Sequence, residues 1–349
     1  MNKLKLLLVI FMGLILGQSC TEDYNVDEGF GGVYLVVSSS ARQIGEEISV
    51  EVITENDGLD VTEDSEIYVN GELISGTTFT KDEVGVYEIS AKFDIYETNP
   101  EYVEFFNGFV TNFRKRVLVE DYTGTWCGWC PRISYALELV EEQSDNAVLV
   151  AIHRAPSGTS DPYTFEGADL LEARIIAPGY PKGFLNRITR WNFPEPDNIG
   201  QVVALTQGLN PKLGLKLNAI NQGNNYTLDV GVKFANNFSG LKLVVYILEN
   251  GLVYPQVNYT SYYSSNPIPD YVHNHTLRST LTDILGDPID ESQTRVNLEY
   301  DRTFNFELPA VIEDADNIEF VAFIVDQEGH VLNVRKTTPG ELQDYEILE

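Results

Sequence analysis

From Val33 to about Phe105, apolar and polar residues alternate with period two. Val33-Tyr34-Leu35-Val36-Val37, Ile48/Val50/Val52, Ile67/Val69 and Tyr87/Ile89/Ala91/Phe93 each predict a short strand with one buried face. Asn70-Gly71 marks a tight turn between two of them. No helical periodicity interrupts the stretch, so it predicts a small β-sandwich. Between about Lys115 and Leu209 the pattern changes to strand, helix, strand, helix. Val117-Leu118-Val119 and Ala147 to Ile152 are continuous apolar runs, as expected of strands covered on both faces. Residues 128–143 carry Ile133, Ala136, Leu137 and Val140 on one helical stripe, and residues 164–176 carry Phe165, Ala168, Leu171 and Ile175 on another. A Pro-Gly-Tyr-Pro turn at 178–181 leads to a strand at 182–188, and Ile199 to Leu209 makes a last amphipathic helix. From Lys212 the alternation is again that of strands, with hairpin and turn signals at the Asn-Gln-Gly-Asn-Asn loop and at Asn250-Gly251. Residues 254–271, rich in Tyr, Ser, Asn and Pro, predict a long surface loop.

The first residues stand outside these patterns. Lys3 and Lys5 precede an apolar run, Leu6 to Leu16, too short to span a bilayer but of the length of a signal-peptide core. Leu16-Gly17-Gln18-Ser19-Cys20 resembles the lipobox of bacterial lipoproteins. That resemblance implies a signal peptide at 1–19, cleavage before Cys20 and lipid attachment to the Cys20 sulfur. Residues 20–32, acidic and glycine-containing, then form a lipid-anchored tether.

A chain of 349 residues calls for two or three domains. Acidic residues outnumber basic ones 53 to 23, a net charge of −30 that repels phosphate backbones and argues against nucleic-acid binding. Three cysteines exist, Cys20, Cys127 and Cys130. A secreted fold stapled by disulfides uses more of them at wider spacing, so Cys127 and Cys130 point to chemistry rather than to stapling.

Trp126-Cys127-Gly128-Trp129-Cys130 falls where a buried strand gives way to a helix. Two intervening residues put both sulfurs on the first helical turn, where unpaired amides and the helix dipole stabilise a thiolate. The first cysteine of such a pair is the more exposed and attacks; the second resolves the mixed disulfide.

The run Val117 to Cys130 resembles the active-site strand and loop of thioredoxin, and Tyr180-Pro181 matches that family's cis-proline. The resemblance implies Cys127 as nucleophile, Cys130 as resolving thiol, Pro181 as the residue that positions a bound peptide, and Asp121 as the buried proton acceptor. Glu120 competes with Asp121, since a one-residue register change swaps their faces. It further implies a substrate groove bordered by Trp126, Gly128, Trp129 and Tyr180. Two features depart from thioredoxin: Trp129 stands where that family has proline, and Pro131 follows Cys130 directly. Glu-Asp-Tyr-Thr-Gly-Thr-Trp-Cys-Gly-Trp-Cys-Pro, Ala-Ile-His-Arg and Tyr-Pro-Lys-Gly-Phe-Leu-Asn-Arg resemble, more narrowly, a lipoprotein family named after a twenty-eight-kilodalton outer-membrane protein of Gram-negative bacteria. Gly85 to Ala91 resembles the late strand of bacterial immunoglobulin-like modules.

Together these readings predict a multidomain α/β plus all-β chain. An N-terminal immunoglobulin-like β-sandwich (33–110) precedes a central thioredoxin-like α/β domain (113–209) and a C-terminal β-sandwich (212–345). The expected function is thiol–disulfide exchange with extracytoplasmic proteins or peptides, at the periplasmic or cell-surface face of the outer membrane. No organic cofactor is expected beyond the redox-active disulfide itself, and no metal. Zinc on Cys127, Cys130, His273 and His275 is the competing chemical reading. The rival of another class is a surface binding or scaffold lipoprotein without turnover.

Overall fold

The computed structural model describes residues 32–348 apart from 109–110, 176 and 208–210. The expected signal peptide, Cys20 and nearly all of the tether lie outside the described residues, as does Leu209. Among the described residues, no helix is long and apolar enough to cross a membrane.

The chain divides into two compact units. The first contains residues up to Val37 together with Ser49–Phe79 and Glu88–Glu101. Here Val33–Val37 pairs antiparallel with the strand Glu47–Thr54, Leu35 opposite Val52. Val33, Leu35, Val50 and Val52 are buried while Tyr34 and Val36 are exposed, the alternation seen in the sequence. Glu66–Val69 pairs antiparallel with the strand Gly85–Phe93, Ile67 opposite Ala91. Asn70 and Gly71, at φ 50° and 78°, make the two-residue turn back into Glu72–Leu73. A hairpin closed by two residues needs positive φ at both, which asparagine and glycine tolerate.

The second unit contains Ser38–Ile48, Thr80–Tyr87 and the chain from Tyr102 onward. Its elements are β1 (Val117–Thr123), α1 (Pro131–Glu141), β2 (Ala147–His153), α2 (Ala168–Glu172), β3 (Lys182–Leu185), β4 (Thr189–Arg190) and α3 (Ile199–Leu205). There follow β5 (Leu213–Gln222), β6 (Asn225–Phe234), β7 (Lys242–Glu249), β8 (Thr276–Thr280), β9 (Glu299–Glu307), β10 (Ile318–Val325) and β11 (Val331–Thr337). A nine-stranded sheet runs in the order β4-β3-β1-β2-β8-β7-β10-β11, with Asp287–Pro288 beside β7. Strands β5, β6 and β9 form a separate antiparallel sheet.

Side-chain alternation sorts the layers. On one face of the large sheet Leu118, Val150, Ile152, Val244, Tyr246, Val321 and Phe323 form one cluster, joined by Ala168 and Leu171 of α2. On the other face, Val117, Val119 and Leu149 pack against Ile133, Ala136 and Val140 of α1 and Val202 of α3. Further along that face Leu243, Val245, Phe320 and Ala322 meet Leu215, Leu217, Leu228 and Val230 of the smaller sheet. Each fully buried aliphatic side chain contributes about 1.5–3 kcal/mol, so the interleaving of these layers is the main source of stability.

The expected central thioredoxin-like α/β domain is overturned, and with it the three-part arrangement of that fold class. The structure is 43% strand and 12% helix, with three α-helices among the described residues. The sheet does not end near residue 209: β2 pairs in parallel with β8 at Ala151 and Thr276 and continues into β7, β10 and β11. The helices expected over 164–176 and 199–209 shrink to five and seven residues. The error has a physical source. An apolar run covered on both faces looks the same whether its sheet closes locally or borrows strands from far along the chain. Sandwich-like sheets are present, as expected.

A buried charge cluster ties β8 to α1 and β10. His275 Nε2 lies 3.3 Å from Glu141 and its Nδ1 lies 3.6 Å from Glu319, whose carboxylate also receives Lys336 Nζ at 2.9 Å. Burial works against the His275 imidazolium, but Glu141 and Glu319 outweigh it and raise its pKa. Glu319 is held down to about 2 by His275 and Lys336, against its own burial. The histidine's contribution is full below its unfolded value of about 6.5 and is lost as pH rises through the raised folded value. That of Glu319 is full above 4.5 and is lost as pH falls through about 2. His275→Gln should therefore lower the melting temperature most near pH 5.5 and much less at pH 9. A loss independent of pH in a melting series would remove this assignment.

Candidate active site

Strand β1 ends at Thr123, and the loop that follows is pinned before the helix begins. Thr125 N–H donates to Asp161 Oδ2 at 2.6 Å, and the Trp126 indole N–H donates to the Arg154 carbonyl at 2.8 Å. Asp161 also accepts from the Tyr163 amide and pairs with His153 Nδ1 at 3.0 Å. Burial pushes the Asp161 carboxyl up, yet these bonds win and leave it below its ordinary value. Gly124 allows this packing, because a Cβ there would stand 2.5 Å from Trp126 Nε1.

The Cys127 amide donates to the Gly124 carbonyl at 2.9 Å, and the Cys130 amide to the Cys127 carbonyl at 3.2 Å. Cys130 caps α1 and Pro131 occupies its first position, where the missing N–H costs no helical bond. Cys127 and Cys130 are joined as a disulfide, their Cα atoms 5.4 Å apart. Cys127 is 4% exposed and Cys130 1%, so Cys127 is the nearer to solvent, though both are covered.

The stretch 254–271 is a largely exposed loop, as expected, and it is laid as a strap against the loop that carries the cysteines: Val257 N–H donates to the Thr125 carbonyl at 2.9 Å and Tyr259 N–H to the Gly128 carbonyl at 2.6 Å. The Gln256 side chain donates to the carbonyls of Cys127 (3.0 Å) and Gly124 (3.3 Å). The Tyr259 ring lies over Gly128, where an added Cβ would meet it at 2.3 Å, and it packs edge-on against Trp129. Stacking of Tyr262 on Tyr135 and a Tyr263 hydroxyl bond to Glu138 at 3.0 Å fasten the rest. Sequence reading missed these partners because backbone carbonyls carry the contacts and no periodicity encodes them.

Beside the strap opens a groove of about 560 Å³. Trp129, Tyr180, Pro181, Phe193 and Tyr262 line it, and the Tyr180–Pro181 peptide is cis. Trp126 and Tyr180 meet edge-on, 5.3 Å between centroids. The structure thus joins Tyr180 to Trp126 by a ring contact and places Trp129, Tyr180 and Pro181 along one groove, with Gly128 under the Tyr259 ring. Cys20 lies outside the described residues.

Glu120 and Asp121 lie on opposite faces of β1. Glu120, fully buried, accepts from the Arg187 guanidinium at 2.8–3.2 Å and is committed to that ion pair. Asp121 follows Val117 and Val119 onto the face covered by α1 and is 1% exposed. Burial, with Glu195 adding and Arg132 opposing, raises its pKa well above the ordinary value, and Oδ1 has no hydrogen-bond partner. It faces a small cavity shared with Thr123, Ser134, Glu138 and Tyr271. As for the zinc reading, the two sulfurs are bonded to each other, His275 is held between Glu141 and Glu319, and His273 packs among His153, Tyr163 and Tyr271.

Fold and site together define a mostly β protein with a disulfide at the mouth of a helix and a strap laid against its loop. The family model described as outer membrane protein Omp28 matches residues 168–343, half of the chain, and the chain belongs to that family of outer-membrane proteins. The match begins beyond Cys130: it takes in Pro181 and the strap but not the two sulfurs. Among solved structures, HBP35 of Porphyromonas gingivalis is 20% identical with a TM-score of 0.53, covering 66% of this chain and 79% of its own, a likeness of fold. A protein of Agrobacterium tumefaciens is 14% identical with a TM-score of 0.42, covering 65% of this chain and 96% of its own. No curated protein matches the chain.

Two outcomes follow from this geometry. Gly128→Ala should cost about 1–3 kcal/mol, because the new methyl meets the root of the Tyr259 ring. Tyr259→Ala should relieve most of that cost, so additive losses in a double-mutant cycle would refute the contact. Glu120→Ala should cost about 3–5 kcal/mol by stranding Arg187 in the interior, as read from denaturant unfolding. Asp121→Asn should instead raise stability at neutral pH, since a raised folded pKa makes the native carboxyl a growing liability as pH climbs.

Proposed function

We propose that this outer-membrane protein exchanges disulfides with extracytoplasmic proteins through Cys127 and Cys130, held at the membrane by lipid on Cys20. The observation that carries the proposal is the disulfide at the start of α1, with Cys127 the less buried sulfur and Trp129, two residues on, lining a groove. A partner thiolate attacks Cys127 Sγ; the bond to Cys130 breaks, and Cys130 leaves as a thiolate where the dipole of α1 favours negative charge. Burial raises the Asp121 pKa well above its ordinary value and favours its protonated form, and in this reading Asp121 supplies a proton to Cys130. A second partner thiol then attacks the mixed disulfide at the partner's own sulfur. The partner departs oxidised by two electrons, leaving Cys127 and Cys130 as thiols. A disulfide, low-molecular-weight or protein-borne, returns the pair to its starting state. Reading the same steps backwards makes the protein a reductant.

One observation favours the other class of function, a binding scaffold without turnover: the strap satisfies the loop carbonyls and leaves Cys127 at 4% exposure. Insulin reduction by the purified chain with dithiothreitol as reductant separates the two. Exchange chemistry requires turnover that Cys127→Ser reduces to the uncatalysed rate, while Cys130→Ser accumulates a covalent adduct. Equal turnover by wild type and Cys127→Ser would leave only the scaffold. Asp121→Asn should slow turnover on the order of 100-fold and flatten its pH profile.

A further inference from the structure

We infer that the groove lined by Trp129 and Pro181 selects partner segments carrying an acidic side chain near their cysteine, and that Arg190 is the residue that reads it. The inference rests on the exchange reaction proposed above and specifies which partners that reaction accepts.

The argument starts from charge. The chain holds 53 acidic and 23 basic residues, so an arbitrary surface groove would be bordered by carboxylates. This one is bordered by none: its ionic side chains are Arg132 and Arg190. Arg132 is already committed, since its guanidinium pairs with the buried Glu195 and lies over the Phe193 ring at 4.6 Å. Arg190, on the exposed edge strand β4, has no carboxylate partner among the described residues. The groove therefore carries one uncommitted positive charge, opposite in sign to the molecule as a whole.

The rest of the lining states what else must fit. Trp129 is 53% exposed and Phe193 72%, and with Tyr262 they give aromatic walls for a chain passing Pro181. An exposed guanidinium can take a carboxylate with two parallel hydrogen bonds, whereas an ammonium on the partner would be repelled. A pair at such an exposed position is worth up to about fivefold in rate and weakens with salt. Arg190 thus acts as a specificity residue, reading charge along the groove that Trp129 and Pro181 line.

The test uses the full chain with Cys130→Ser, so that the reaction stops at the mixed disulfide. Two peptides are prepared with one cysteine blocked as its thionitrobenzoate disulfide, identical except that the flanking residues are Phe-Asp in one and Phe-Lys in the other. Cys127 attacks the peptide sulfur, the protein–peptide disulfide forms, and the coloured thionitrobenzoate thiolate leaves. Rates are divided by the rate with uncharged dithiodipyridine for the same variant. The expected result at low salt is an acidic-to-basic ratio of about five, falling toward one in high salt and inverting in Arg190→Glu. A ratio near one in low salt overturns the inference while dithiodipyridine still reacts. Failure of dithiodipyridine to react with Cys127 would instead strike the exchange reading beneath it. The ratio in the Arg190 background stands as a test even if Arg190→Glu does not fold.

Discussion

Every side chain of β1 is buried, and the strand has a carboxylate on each face. A buried carboxylate must either be paired or give up its charge, and β1 uses both solutions one residue apart. Glu120 takes the paired one. Its partner Arg187 sits at φ 60°, in the left-handed region, on the turn that follows β3. Asn186, also left-handed, exchanges hydrogen bonds of 2.8 Å with the backbone of Leu118, so the turn is sewn to β1 by main chain and by charge. Asp121 takes the other solution. It stays without a hydrogen-bond partner at Oδ1 on the face that α1 covers, where burial raises its pKa.

Much of this was legible. The period-two strands, the Asn70-Gly71 turn and the α1 stripe of Ile133, Ala136 and Val140 all form where the patterning puts them, because local burial and turn chemistry decide them. The partition into domains was not legible. Val148 and Val150 say that β2 is covered on both faces, but not that Thr276, more than a hundred residues on, will pair with Ala151 and carry the sheet past the expected boundary. Parallel pairing of this kind leaves no mark in either strand's own sequence. The stretch 254–271 is the exposed loop its tyrosines and prolines suggest, but its docking on the cysteine loop was not legible, since only the glycine at 128 hints that a side chain lies close over it.

The strap also fixes the loop that holds the sulfurs. Gln256, Val257 and Tyr259 occupy the carbonyls of Gly124, Thr125, Cys127 and Gly128, so the backbone around the disulfide is held by residues more than a hundred positions away. The family match bears on the same point, since it covers the strap and Pro181 yet begins after Cys130. Membership therefore speaks for the frame around the site more than for the chemistry within it.

A frame of that kind explains why burial and reactivity need not conflict. Thiol exchange requires an approach to one sulfur along the axis of the bond that breaks, and not a wide opening. Under the proposed exchange reaction, a pair hidden from bulk solvent beside a lined passage would react slowly with small random thiols and favour partners that fill the passage. The cost is that the passage must attract its partner against the field of a molecule carrying thirty net negative charges. Lining it with aromatic faces and an uncommitted arginine meets that cost locally, within a Debye length of about 8 Å, where the distant carboxylates are largely screened.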